Sequence, residues 1–338
     1  MQRASLWLIA ALLLGACSED VPLPPVTPLS ADPARVDALH GIAPGGLPVV
    51  ARRHLILPGG EGERELRFNA WFPGHGKDFP LLLFSHGNWS DADAYDHLVE
   101  HWVSHGYVVL APEHLDCCSM AQGIFNSLRY GQLGLIEGRT QDLGRLLDNL
   151  ATIEELAGIP GGMIDHDRVA ATGHSFGGWS AQQLGGAEVY DPDGETFLQR
   201  RDPRVQAVVA VSPPGPMFDT IVSESWKAQD TPTLATTGTW DIQPRFWPDW
   251  RLHLTSFETA RPGEQFALVI EGADHYLGRL ICRTEREAEP QWDALRMLQA
   301  TSTSFLDAQL KQDGAAMELL HSDQLQAVTG GFASLSRR

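Results

Sequence analysis

Arg168-Val169-Ala170-Ala171-Thr172-Gly173-His174-Ser175-Phe176-Gly177-Gly178 is the stretch on which the rest of the chain is read. Arg168–Gly173 is a short, mostly apolar run that reads as a strand, and Ser175–Gly185 reads as a helix. The Gly173–Gly177 segment therefore fits G-x-S-x-G in the strand–turn–helix context that this motif requires. A serine on so tight a turn sits in strained backbone, and Gly173 and Gly177 remove the Cβ atoms that would clash. The helix that follows aims its free N–H groups and positive end at developing negative charge. A chance match in a Gly-rich loop has no strand before it and no helix after it. Ser175 is the candidate nucleophile.

Working outward, Val49–Leu57 and Glu65–Phe72 alternate apolar and polar residues, as antiparallel edge strands do. Pro80–Ser85 and Tyr107–Ala111 are short apolar runs, the pattern of strands buried on both faces. Between them, Ser90 and Asp93 form a capping-box-like start to a helix that runs to His105 and stops at Gly106. Leu143, Leu146, Leu147, Leu150, Ile153 and Leu156 mark one face of a long helix. Beyond the serine come strands at Val205–Val211, Thr233–Thr237 and Phe266–Glu271 and a helix at Asp293–Leu310. This alternation predicts an α/β fold, a mostly parallel central sheet with helices on both faces, in a single domain over 49–311. Ligands in such sheets bind at the carboxyl ends of the strands.

A serine hydroxyl needs a base, and the base needs a carboxylate to orient it. Asp241 follows the Thr233–Thr237 strand and His275 follows the Phe266–Glu271 strand, in the chain order Ser, Asp, His. Asp219 competes for the acid; His253 and His321 compete for the base, but neither follows a strand. Trp89, Trp240, Phe246 and Trp247 flank these loops and suit a cleft for an apolar or aromatic ester. His97-Leu98-Val99-Glu100-His101 matches an inverted zinc-peptidase pattern, with His105 extending its face. It lies where a surface helix is expected, with the histidines near its C-terminal end. Asp191-x-Asp193-Gly194-Glu195 lacks the rest of a calcium loop. No metal and no cofactor are expected.

The chain has 338 residues, 43% apolar, and 43 acidic against 25 basic residues give a formal charge of −18. An acidic surface excludes a nucleic-acid partner, which needs a basic footprint. No internal repeat or low-complexity tract is present, and four cysteines are too few for a disulfide scaffold in a chain this long. Residues 1–16 read as a signal peptide, with Arg3 ahead of the apolar run Leu6–Ala16, too short to span a bilayer. Leu14-Gly15-Ala16-Cys17 resembles the bacterial lipobox, which makes Cys17 a lipidated N-terminus; Ser18 after it leans towards the outer membrane. The expected location is the bacterial cell envelope, lipid-anchored, or secreted, with membrane contact only through Cys17. Pro-rich 17–48 is expected to be an extended tether, and polar 312–338 a weakly packed tail. An oxidising compartment predicts either a bridge from Cys282 to Cys117 or Cys118, or a vicinal Cys117–Cys118 link with Cys282 free.

Taken together, Phe84-Ser85-His86-Gly87-Asn88, Ser104–Pro112, Asp167-Arg168-Val169, Gly173–Gly178 and Gly238-Thr239-x-Asp241 resemble the α/β-hydrolase superfamily over about 49–311. Within it the chain is similar to serine esterases of the platelet-activating-factor acetylhydrolase, dienelactone-hydrolase-like and cutinase-like polyester hydrolase groups. The resemblance implies backbone N–H groups of Asn88 and Phe176 as the oxyanion hole, around Ser175, Asp241 and His275. It implies a small-molecule or polymeric ester substrate cleaved through an acyl-enzyme. An amidase or acyltransferase with the same residues, and a non-catalytic binding protein on a hydrolase scaffold, are the alternatives. True dienelactone hydrolases carry cysteine where Ser175 stands.

Overall fold

The computed structural model describes residues 23–244 and 246–338. Residues 1–16 and Cys17, the expected signal peptide and lipidation site, lie outside the described residues. The strands are β1 (Val49–Leu57), β2 (Leu66–Pro73), β3 (Phe79–Ser85), β4 (Val108–Pro112), β5 (Ile164–His174), β6 (Glu188–Asp191), β7 (Thr196–Gln199), β8 (Val205–Val211), β9 (Thr233–Gly238), β10 (Gln265–Ile270) and β11 (Ala333–Arg337). Nine of them form one sheet in the order β1-β2-β4-β3-β5-β8-β9-β10-β11, and β6 and β7 pair as a separate hairpin. From β4 to β10 the neighbours are parallel. The two edges close with antiparallel pairs, β1 and β2 on one side and β11 on the other.

The helices are α1 (Pro33–Asp37), α2 (Asp96–Ser104), α3 (Met120–Asp148), α4 (Leu150–Ala157), α5 (Phe176–Leu184), α6 (Thr255–Thr259), α7 (Trp292–Lys311), α8 (Gly314–His321) and α9 (Gln324–Thr329). Side chains alternate across a strand, so an all-apolar strand must be covered twice. On β3, Leu82 and Phe84 pack with Leu98, Trp102, Leu298 and Phe305 of α2 and α7. Leu81 and Leu83 face the other way, onto Leu143, Leu146, Leu147, Ile153 and Leu184 of α3, α4 and α5. The predicted architecture, a mostly parallel sheet with helices on both faces in one domain, is the one observed.

Four expectations need correction. Asp91, not Ser90, caps the turn before α2, accepting from the Ala94 N–H at 3.1 Å; the Ser90 hydroxyl donates to the Cys282 carbonyl instead. The helix read from Leu143 begins far earlier, at Met120, with a positive φ of 70° at Gly131, and Leu156 is exposed. The tether does not reach Pro48: Asp32 caps α1 with Pro33 at its first turn, and Val36, Leu39 and Ile42 are buried in the α2–α7 layer. The tail is not weakly packed either, since Leu319, Leu320 and Leu325 are buried and β11 pairs with β10. Without β11 the β10 strand would present an open edge. Among the cysteines the vicinal Cys117–Cys118 disulfide forms and Cys282 is a buried thiol, so the bridge to Cys282 is absent. Among the described residues no helix is long and apolar enough to cross a membrane.

Candidate active site

Strand β5 ends at His174 and α5 begins at Phe176, which leaves Ser175 alone on the turn with φ 54° and ψ −125°. Such a conformation costs on the order of 1–3 kcal/mol for a non-glycine residue and persists only where the surroundings impose it. Here the Ser175 N–H is tied to the Val211 carbonyl of β8 at 2.8 Å. A Cβ on Gly177 would run into the Ser85 carbonyl, and one on Gly173 into the carbonyl of Gly177. The two glycines thus allow α5 to start directly against β3.

The serine hydroxyl lies 2.9 Å from His275 Nε2, and His275 Nδ1 lies 2.8 Å from Asp241 Oδ1. Asp241 is fully buried, and its second oxygen accepts from the Thr237 hydroxyl at 3.1 Å. Burial alone would raise its carboxyl, but the facing rings of His253 and His275 outweigh that and hold it well below the usual carboxylate range. An ionised Asp241 only accepts, so His275 donates from Nδ1 and leaves Nε2 to accept the serine proton. The rival groups fall elsewhere. Asp219 is exposed, and His321 lies 3.4 Å from Glu264 with both side chains near half exposed. His253, passed over because no strand precedes it, is buried with its Nε2 3.1 Å from Asp241 Oδ1.

Neighbouring groups fix the base from behind. His174 Nε2 lies 2.9 Å from the His275 carbonyl, so it is the donor there and Nδ1 accepts from the Tyr95 hydroxyl at 2.9 Å. The Tyr95 oxygen in turn accepts from the Gly87 N–H at 2.9 Å. Burial holds His174 well below the ordinary histidine range and pushes the Tyr95 hydroxyl well up, so both are neutral.

The loop after β3 is gripped by two arginines that the sequence reading missed. Arg139 of α3 donates to the His86 carbonyl at 2.7 Å and the Gly87 carbonyl at 3.4 Å, and its guanidinium stands 4.9 Å from the Phe176 ring. It is buried and paired with buried Asp116 at 2.7 Å. Burial would raise Asp116, but the Arg139 charge outweighs it and lowers the carboxyl. Arg283 donates to the Asn88 and Trp89 carbonyls at 3.2 Å each. With four successive carbonyls bound, no acceptor among the described residues takes the N–H of Asn88 or of Phe176. A guanidinium between Leu135 and Leu143 on an apolar helical face was the available signal for Arg139.

The four aromatic residues are half-buried. Trp247 covers His275, ring centroids 5.0 Å apart, with Phe246 6.0 Å further along, while Trp89 packs against Gly123 at the start of α3. A cavity of about 190 Å³ lined by Val26, Thr27, Gln291 and Trp292 does not include Ser175. Among the described residues two groups bring possible metal donors together: Glu113 with Cys117 and Cys118, and Asp241 with His253 and His275. In the first both sulfurs are spent on the disulfide; in the second the donors already face one another in hydrogen bonds and an ion pair. The weighed zinc pattern is structural: His101 and His105 bond the Gly41 and Ala43 carbonyls, and His97 stacks on Trp292.

A strained serine between strand and helix meets an imidazole from the loop after β10 and a carboxylate from the loop after β9, on a doubly covered, mostly parallel sheet. The chain belongs to the Alpha/beta hydrolase family, whose sequence profile matches residues 82–319. Among curated proteins the chain has no match. Membership supports hydrolase activity.

Proposed function

We propose that the protein is a serine hydrolase that cleaves carboxylic esters through an acyl-enzyme. The observation that carries this reading is the unbroken contact from Ser175 through His275 to Asp241, 2.9 and 2.8 Å, on a turn that strains the serine. Ser175 Oγ attacks the acyl carbon while its proton passes to His275 Nε2. The carbonyl oxygen, now an oxyanion, is held by the Asn88 and Phe176 backbone N–H groups. His275 returns the proton to the leaving alcohol as the ester C–O bond breaks. Water then repeats the sequence, releases the acid and regenerates the serine. Trp89, Trp240, Phe246 and Trp247 give the acyl or alcohol part an apolar wall, which suits small aromatic or polymeric esters. A lipidated Cys17 would hold the enzyme at the cell envelope, probed by labelling with a palmitate analogue, which marks wild type and not Cys17→Ala.

The test is labelling of the full chain with a fluorophosphonate, followed by turnover of p-nitrophenyl esters alongside amide and polyester substrates. Wild type should label and hydrolyse esters faster than amides, and Ser175→Ala should do neither. Faster amide cleavage would make the protein an amidase. Absence of both labelling and turnover would leave a binding protein on a hydrolase scaffold.

A further inference from the structure

His253 sits on the 3₁₀ turn Trp250–Leu254 and is buried. Its Nδ1 lies 2.7 Å from the Pro213 carbonyl, and a carbonyl only accepts, so Nδ1 carries a proton. Its Nε2 lies 3.1 Å from Asp241 Oδ1, off the line of a well-formed hydrogen bond, so the pairing is chiefly one of charge. A bare nitrogen lone pair held against a buried carboxylate would be repelled, whereas an N–H on a cationic ring is attracted. Only a ring protonated on both nitrogens satisfies both neighbours.

We propose that His253 is a positioning residue: a buried imidazolium that shares Asp241 with His275, holds the carboxylate in place and opposes a resting proton on the base. The inference rests on the esterase reading of Ser175. Burial alone would strip the proton from His253, but the charge of Asp241 outweighs it and raises the ring above the ordinary histidine value. The other groups around it leave that balance intact. His275 faces it from the loop after β10 with ring centroids 5.8 Å apart, and Trp247 covers it at 5.7 Å. His174, at the end of β5, is neutral. On its own turn Arg251 is paired with Asp249 at the surface, and Glu258 of α6 is exposed.

The pair Asp241–His253 is then neutral overall. A proton on His275 therefore gains less attraction from Asp241 than it would from an unshared carboxylate, which favours a bare Nε2 facing the serine. A unit charge at about 6 Å in a medium of effective dielectric about 20 is equivalent to about two pH units, and to less where solvent reaches the site. In His253→Gln the acid limb of the kcat/KM profile should therefore move to higher pH by about one to two units.

The experiment is the pH profile of kcat/KM for a p-nitrophenyl ester, on the full chain, wild type against His253→Gln. An upward shift of the acid limb supports the proposal, and coincident limbs overturn it. Removing one partner of a buried pair can unfold a protein, so ¹⁵N imidazole spectra of the wild-type chain give a second reading. A His253 ring with both nitrogens protonated from pH 6 to 8 supports the proposal, and one with a bare nitrogen overturns it. The spectra decide the charge of His253 even if Ser175 takes no fluorophosphonate and the esterase reading fails.

Discussion

At the scale of single residues, the proposed roles of Ser175, His275 and Asp241 predict different losses on substitution. Ser175→Ala and His275→Ala should each abolish nearly all ester turnover, because the three act as one unit. Asp241→Asn preserves volume but offers His275 Nδ1 an amide, which favours the wrong tautomer; the expected loss is on the order of 10⁴ in kcat, by analogy with serine proteases. Asp219→Asn, at an exposed position, should cost less than about tenfold. Kinetics on variants with unchanged melting curves check both, and a nearly fully active Asp241→Asn would remove the acid from the scheme. The convergence of Ser175, Asp241 and His275 was legible in the sequence because each lies on the turn or loop that follows a parallel strand, all at the same edge of the sheet. His253 was not. It reaches Asp241 from a 3₁₀ turn, and only the packing of that turn against Pro213 aims its ring.

At the scale of elements, what holds the loop after β3 is long-range and charged, and periodicity does not report it. Seven strands were readable to within a residue because alternation or continuous apolarity marks them. Strand β5, however, starts four residues before Arg168 on mostly polar residues, and the short, partly exposed β6, β7 and β11 were not read. The first half of α3 was not, because Phe125 and Leu128 on it are exposed and Gly123 and Gly131 interrupt it. Its second half carries Arg139, which joins Asp116 to the His86 and Gly87 carbonyls. Arg139→Met should destabilise the fold by about 3–5 kcal/mol, since it strands a buried carboxylate. The pair Arg139→Met with Asp116→Leu removes both charges and should recover most of that stability. It should not recover full activity, because the His86 carbonyl loses the Arg139 donor; a loss of at least tenfold in kcat is expected. Thermal melts and ester kinetics on the three proteins decide, and a double variant as active as wild type would reduce Arg139 to a purely structural role.

At the scale of the whole molecule, residues 32–42 and 312–338 complete the sheet and its helical layer, which composition concealed. Proline density hid Val36, Leu39 and Ile42, and a polar average hid Leu319, Leu320 and the strand that covers β10. Deleting 330–338 should expose that edge, lower the melting temperature and promote aggregation, measured by light scattering during the melt. The N-terminal strap depends on a titratable contact, His40 Nε2 to Asp307 Oδ2 at 2.9 Å. Its hydrogen bond to Asp307 raises the His40 ring above 6.5 despite partial burial. Burial would raise Asp307, but His40, Lys311 and Tyr107 bring it down to about 2. A raised histidine contributes stability that is fully present below its unfolded value and is lost as pH climbs through its folded one. A lowered carboxylate contributes stability above its unfolded value of 3.8, lost as pH falls towards about 2. The His40–Asp307 contact therefore contributes most between about pH 4 and 6.5 and fades on the alkaline side through His40. His101 and His105, whose rings burial lowers while they bond the Gly41 and Ala43 carbonyls, contribute fully only above 6.5. In hydrogen exchange at Leu39 and Ile42, corrected for intrinsic rates, the extra protection of wild type over His40→Ala should shrink from about pH 6 to about pH 8.5. A wild-type excess that stays constant across that range would mean that the His40–Asp307 contact does not titrate there.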